Sequence, residues 1–135
     1  MTAKVLNGRS CSGLMLRGIS TAKIDRWGKI KIPSEFLKAF KEKYGKEVFI
    51  SSVDMKNILI YPLPEWEKIV AEAREKADDP LMRRTMLILN RNGVKAEIDE
   101  LGRILIPKWL LDKTSMKGEV DIEGREDILV LVSKI

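Results

Sequence analysis

Two stretches of the chain alternate apolar and polar residues and match each other without a gap. In residues 22–33, AKIDRWGKIKIP, the apolar positions Ala22, Ile24, Ile30 and Ile32 are interleaved with Lys23, Lys29 and Lys31. That is the period of two expected of a half-buried β-ribbon. Residues 96–107, AEIDELGRILIP, repeat it with Ala96, Ile98, Asp99, Gly102, Ile104, Ile106 and Pro107 at the same offsets, and Arg103 answers Lys29. A match of this length predicts a duplicated unit. Each copy reads as strand, tight turn, strand. Gly28 and Gly102 can adopt the positive φ that the turn requires, and Asp25 and Asp99 can close it by accepting from the following backbone amides.

The pattern elsewhere fills in two similar units and a helical link. After Pro33, Phe36, Leu37 and Phe40 fall on one face of a short helix that Ser34 can cap and Gly45 ends. Residues 47–51 and 57–61 are β-rich runs joined by a loop around Asp54 and Lys56. Trp66, Ile69, Val70 and Ala73 keep the i, i+3, i+4, i+7 spacing of a helix with Pro64 in its first turn. Asp78-Asp79-Pro80 breaks that helix and caps another, whose apolar stripe is Leu81, Met82, Met86 and Leu89, before Asn92-Gly93. A hairpin over 94–106, a short helix over 108–113 and strands over 119–122 and 127–132 then repeat the first unit, with a loop two residues shorter.

The domain boundaries expected are therefore 15–63 and 93–135 for the two repeats and 64–92 for the linking helices. Residues 1–14 show no periodicity and read as a disordered leader or a mis-called start, with Met15 the true beginning. A unit of about 45 residues is too small to bury its own apolar faces well, so the copies are expected to pair with each other. Pairing about a pseudo-twofold axis would interleave their strands into one small barrel, giving an α+β, mainly β fold.

Charge and composition narrow the function. The chain of 135 residues carries a net charge of +5, distributed unevenly. Residues 1–45 hold ten cations against three acids, whereas residues 96–135 hold six against nine. A localised basic face favours a polyanion such as nucleic acid. No stretch approaches the roughly 18 apolar residues of a membrane span, and no secretory signal is evident, which makes the cytoplasm the expected compartment. With no histidine, a single Cys11 and no glycine-rich phosphate loop, the inventory argues against an enzyme and against a metal or other cofactor. The adjacent acids Asp99 and Glu100 read as turn-closing and solvated rather than as an acid–base pair.

The basic ribbon is the remaining candidate. Lys23, Lys29 and Lys31 share a face, Arg26 is at the tip and Arg17 lies just before. A ribbon of this size can enter a major groove, with lysines on phosphates and arginines on base edges. Alternate lysines on an exposed strand also serve simply to block edge pairing. In the second copy Glu100 replaces Arg26 and Leu105 replaces Lys31, leaving Arg103 as its principal cation. Leu105 is expected to face a neighbouring chain or the linking helices. The tip residues Trp27 and Leu101 read either as lids on their own hairpins or as contacts between subunits.

The two D-x-x-x-[RK]-x-x-[IV]-P hairpins, with Tyr61-Pro62-Leu63-Pro64-Glu65-Trp66 between them, resemble the MraZ family of transcriptional regulators, a branch of the AbrB/SpoVT swapped-hairpin class. The resemblance covers residues 15–135. It implies two AbrB/SpoVT-like swapped-hairpin half-barrels fused in one chain as a pseudo-twofold double barrel with linking helices. It further implies ring-shaped homo-oligomers, an octamer or a larger ring among them. The partner implied is double-stranded DNA, at short direct repeats upstream of a promoter in a division and cell-wall gene cluster, in a nucleoid-associated protein with no small-molecule substrate. The family motif falls on Asp25 to Lys29 and Asp99 to Arg103, with Lys29 standing where the first arginine is expected. The expected DNA-binding set is Arg17, Lys23, Arg26, Lys29, Lys31 and Arg103, with Asp25, Gly28, Asp99 and Gly102 shaping the turns. Many relatives carry a tail beyond the last strand, and none is expected here.

Overall fold

The computed structural model describes residues 16–133, so the expectations for residues 1–14 lie outside it. The elements in chain order are β1 (Leu16–Ile24), β2 (Lys29–Lys31), α1 (Ser34–Tyr44), β3 (Glu47–Ser51), β4 (Ile58–Pro62), α2 (Leu63–Glu75), α3 (Pro80–Arg91), β5 (Val94–Glu97), β6 (Arg103–Leu105), α4 (Lys108–Thr114), β7 (Gly118–Glu126) and β8 (Ile128–Ser133). The strands form one antiparallel sheet in the order β5-β3-β4-β8-β7-β1-β2-β6. Its end strands, β5 and β6, are consecutive in the chain and meet where the Asp99 amide donates to the Arg103 carbonyl at 2.9 Å. The sheet thus curls into a nearly closed barrel. No described helix is long and apolar enough to cross a membrane.

The pairing corrects one expectation. Neither repeat forms a two-stranded ribbon along its length, because β1 and β2 meet only at Ile24 and Ile30. The alternation of residues fixes which side chains face inward but does not fix the neighbouring strand. Each arm turns a corner and finds its partner in the other copy. β1 runs beside β7 from Leu16 opposite Glu126 to Ile24 opposite Gly118, and β3 lies beside β5 in the equivalent way. β2 pairs with β6 about Ile30 opposite Ile104, and β4 pairs with β8. Two further backbone bonds repeat the exchange: Ile32 N–H donates to the Gly102 carbonyl at 2.9 Å, and Ile106 N–H to the Gly28 carbonyl at 2.8 Å.

The inward positions of both copies make one core. Ile30, Ile32, Ile104 and Ile106 join Phe40, Ile50, Ile60, Leu110, Ile122 and Leu129 there, all of them fully buried. A second, smaller cluster holds the linking helices on the outside. In it Trp66 of α2 stacks on Phe49 with ring centroids 4.0 Å apart, Tyr61 sits 5.4 Å from Trp66, and Leu89 of α3 closes the group. Ser51 Oγ donates to the Leu89 carbonyl at 2.7 Å and fixes the end of α3 on β3.

Smaller expectations also change. Pro33 occupies the N-cap of α1 and no side chain caps it, so Ser34 is already helical. Asp79 does cap α3, accepting from Leu81 N–H at 3.0 Å. Leu81 is exposed rather than in the stripe, because only the C-terminal half of α3, with Met86 and Leu89, rests on the barrel. β7 is nine residues long instead of four, since it is paired along the full length of β1. A single residue, Asp127, then links it to β8. Asp127 ties the copies together, receiving the Tyr44 hydroxyl and the Lys43 ammonium at the end of α1.

Candidate nucleic-acid interface

The two duplicated turns are built identically. Asp25 Oδ1 accepts from Trp27 N–H and Lys29 N–H, both at 2.9 Å. Asp99 Oδ1 accepts from Leu101 N–H at 2.9 Å and Arg103 N–H at 2.8 Å. Each carboxylate therefore closes its own turn, as the sequence suggested for Asp99. Gly28 (φ +88°) and Gly102 (φ +80°) complete the geometry, and a Cβ on Gly28 would stand 2.8 Å from the Ile106 carbonyl oxygen. These glycines let each turn accept the amide of the other copy.

The amide of Lys29 is the first cause holding the Asp25 carboxyl below its ordinary value, opposed by burial and helped by Trp27 N–H and the Lys29 and Arg103 charges. The amide of Arg103 does the same for Asp99, with burial again opposing and Leu101 N–H and the Arg103 side chain assisting. A depressed folded-state pKa contributes stability that is present above the unfolded carboxyl value and lost as pH falls through the folded one. The urea midpoint is therefore expected to fall as pH is lowered from about 5 through the carboxylate range. The double variant Asp25→Asn, Asp99→Asn should flatten that fall; an unchanged slope would remove the turns as its source.

Between the turns lies the β2–β6 pair, and it assembles the cations differently from a ribbon. Lys31 is directly opposite Arg103, and Lys29 is opposite Leu105. Cβ atoms so placed are about 5 Å apart, and like charges in that position are destabilising. Arg103 is partly neutralised by Asp99 Oδ2 at 3.2 Å, with both side chains over a third exposed. Lys29 and Lys31 have no ion pair among the described residues. Arg26 lies at the first tip with its guanidinium 4.4 Å from the centre of the exposed Trp27 ring. Lys23, on β1, is opposite Glu119, which offsets it. Arg17 is at the far end of β1 opposite Arg125, well away in register from Lys29 and Lys31.

The structure thus brings Lys29, Lys31 and Arg103 together with Arg26 near one end, and separates Arg17 and Lys23 from them. Leu105, expected against a neighbour or the helices, is exposed in the same row, and its Cδ1 would lie 3.8 Å from a Cβ at Gly28. Sequence reasoning missed the pairing of Lys31 with Arg103. The available signal was the matched Ile30 and Ile104, which define where a twofold axis would cross.

A duplicated barrel with two aspartate-closed turns and a row of cations between them is a well-defined class of small binding protein. The chain belongs to the MraZ family, whose curated members are transcriptional regulators. The family model described as "MraZ protein, putative antitoxin-like" matches residues 15–87. The chain is 33% identical over 116 residues to the transcriptional regulator MraZ of Acidobacterium capsulatum, covering 85% of this chain and 80% of that one. It is 31% identical over 119 residues to those of Koribacter versatilis, covering 87% and 81%, and Neisseria meningitidis, covering 87% and 79%.

Proposed function

We propose that the chain is a sequence-specific DNA-binding transcriptional regulator acting on a division and cell-wall gene cluster. It binds short direct repeats upstream of a promoter through basic turns displayed on a ring of its own copies, in the cytoplasm at the nucleoid. The observation that carries this reading is the row formed by Lys29, Lys31 and Arg103, in which Lys31 and Arg103 oppose each other across a strand pair. Two cations held face to face cost stability unless an anion lies over them, and a phosphate backbone supplies one. The names of the relatives support regulation of transcription. The exchange of strands between copies supports reading the fold as two AbrB/SpoVT-like swapped-hairpin half-barrels, 15–63 and 93–135, joined by 64–92. No enzymatic activity, cofactor or small-molecule substrate enters this reading.

The test is fluorescence anisotropy with a duplex taken from upstream of the protein's own gene. Three engaged subunits, each neutralising two phosphates, give a log–log salt slope of about −5. A scrambled duplex should bind at least about a thousandfold more weakly. Equal binding to both, or a flat salt dependence, would overturn the proposal.

A second reading has its own observation. Leu81 and Leu87 are exposed on α3, and a groove of about 440 Å³ lined by Val70, Ala73 and Met86 separates α2 from α3. An antitoxin-like or scaffold module would use it to dock a protein. Co-purification of a toxin-sized partner with no DNA retained at low salt would favour that reading.

A further inference from the structure

The two turns sit at opposite ends of the β2–β6 pair, because its strands are antiparallel and each turn precedes one of them. They are not chemically equal. Beside the first turn lies an open groove of about 350 Å³. Trp27, Leu111 and Met116 give it apolar walls, and Arg26, Lys108 and Lys117 give it cations. Its acids are Asp25, whose carboxylate is engaged by its own turn, and Asp112. The groove exists because α4 has seven residues where α1 has eleven, so the chain passes from Thr114 through Met116 into β7 without a last helical turn.

The second turn presents the complement. Leu101 is 63% exposed at its tip, and Glu100 precedes it, also exposed. Where the first copy has Arg26 and Trp27, the second has an acid and a smaller apolar residue. A barrel cannot reach its own groove with a tip at the far end of the same strand pair. The geometry points to a second copy of this chain as the occupant: the Glu100-Leu101 tip of one molecule seats beside Trp27, Leu111 and Met116 of the next, with Glu100 facing Arg26, Lys108 and Lys117. One knob and one groove per chain make a heterologous, head-to-tail contact, which closes as a ring or continues as a filament. This rests on the ring proposed above and assigns the residues of its joint. Because the joint spans the two ends of the β2–β6 pair, the Lys29, Lys31 and Arg103 rows of successive copies follow one another at fixed spacing.

The test is molar mass in solution by light scattering or sedimentation, with circular dichroism as a check on folding. Glu100→Lys and Arg26→Glu, each alone, are expected to bring the assembly down toward the 15.4 kDa chain. An equimolar mixture of the two variants should regain the wild-type mass, since each then offers the other a complementary partner. If both single variants keep the wild-type mass, or if the mixture fails to regain it, this joint is overturned while the ring reading survives. A wild-type protein that remains at the mass of one chain at every concentration overturns the ring itself, and the joint with it.

Discussion

Replacing Lys29 with alanine is expected to weaken binding to the upstream repeats by about two orders of magnitude in an assembled ring. The argument is one of multiplication. A lost ammonium–phosphate contact at a partly exposed position is worth about 1 kcal/mol, the low end for charge-assisted bonds. Every subunit carries the change, so three engaged subunits lose about 3 kcal/mol together. The salt slope should shrink by about one per engaged subunit. Lys29→Arg is the informative companion, because it keeps the charge and adds the planar two-donor fork that lysine lacks. It is expected to retain affinity and to gain about 1–3 kcal/mol of preference for guanine at the contacted position. Anisotropy titrations across a salt series measure both. An alanine variant with wild-type affinity would remove Lys29 from the interface.

How much of this was readable beforehand differs between the local and the long-range. The turns were legible, because Asp25 and Gly28, and Asp99 and Gly102, act through bonds within five residues. The strand over 47–51 was legible from its unbroken β-rich run. Which strands become neighbours was not, since Ile24 and Ile30 face the core equally well beside each other or beside Gly118 and Ile104. The cation row was hidden for the same reason: Lys31 and Arg103 are 72 positions apart and meet only through that pairing. The lengthening of β7 to Glu126 was illegible too, because Gly124 and Arg125 break the apolar alternation and are held by the matching residues of β1. Leu81 misled because its spacing fits the stripe of α3 while the barrel ends before reaching it.

Ile104→Ala should be the most destabilising single truncation of the shared core, and it bears directly on whether the copies are separable. Ile104 and its counterpart Ile30 are fully buried and face each other at the centre of the β2–β6 pair. Removing such a side chain from a close-packed site costs about 2–5 kcal/mol, transfer and cavity terms together. A domain of this size has about 5–15 kcal/mol in all. Ile30→Ala should cost a similar amount, and the double variant less than the sum, because both truncations open one cavity. Since β1 leans on β7, β3 on β5 and β4 on β8, neither copy retains its strand partners when the other melts. Urea unfolding of the Ile104→Ala protein is therefore expected to remain a single transition, lowered in midpoint. Circular dichroism and the fluorescence of Trp66, which lies in the outer cluster, should report the same midpoint. Two separated transitions, with the first repeat outlasting the second, would mean that the copies fold as independent units and that the strand exchange does not hold them together.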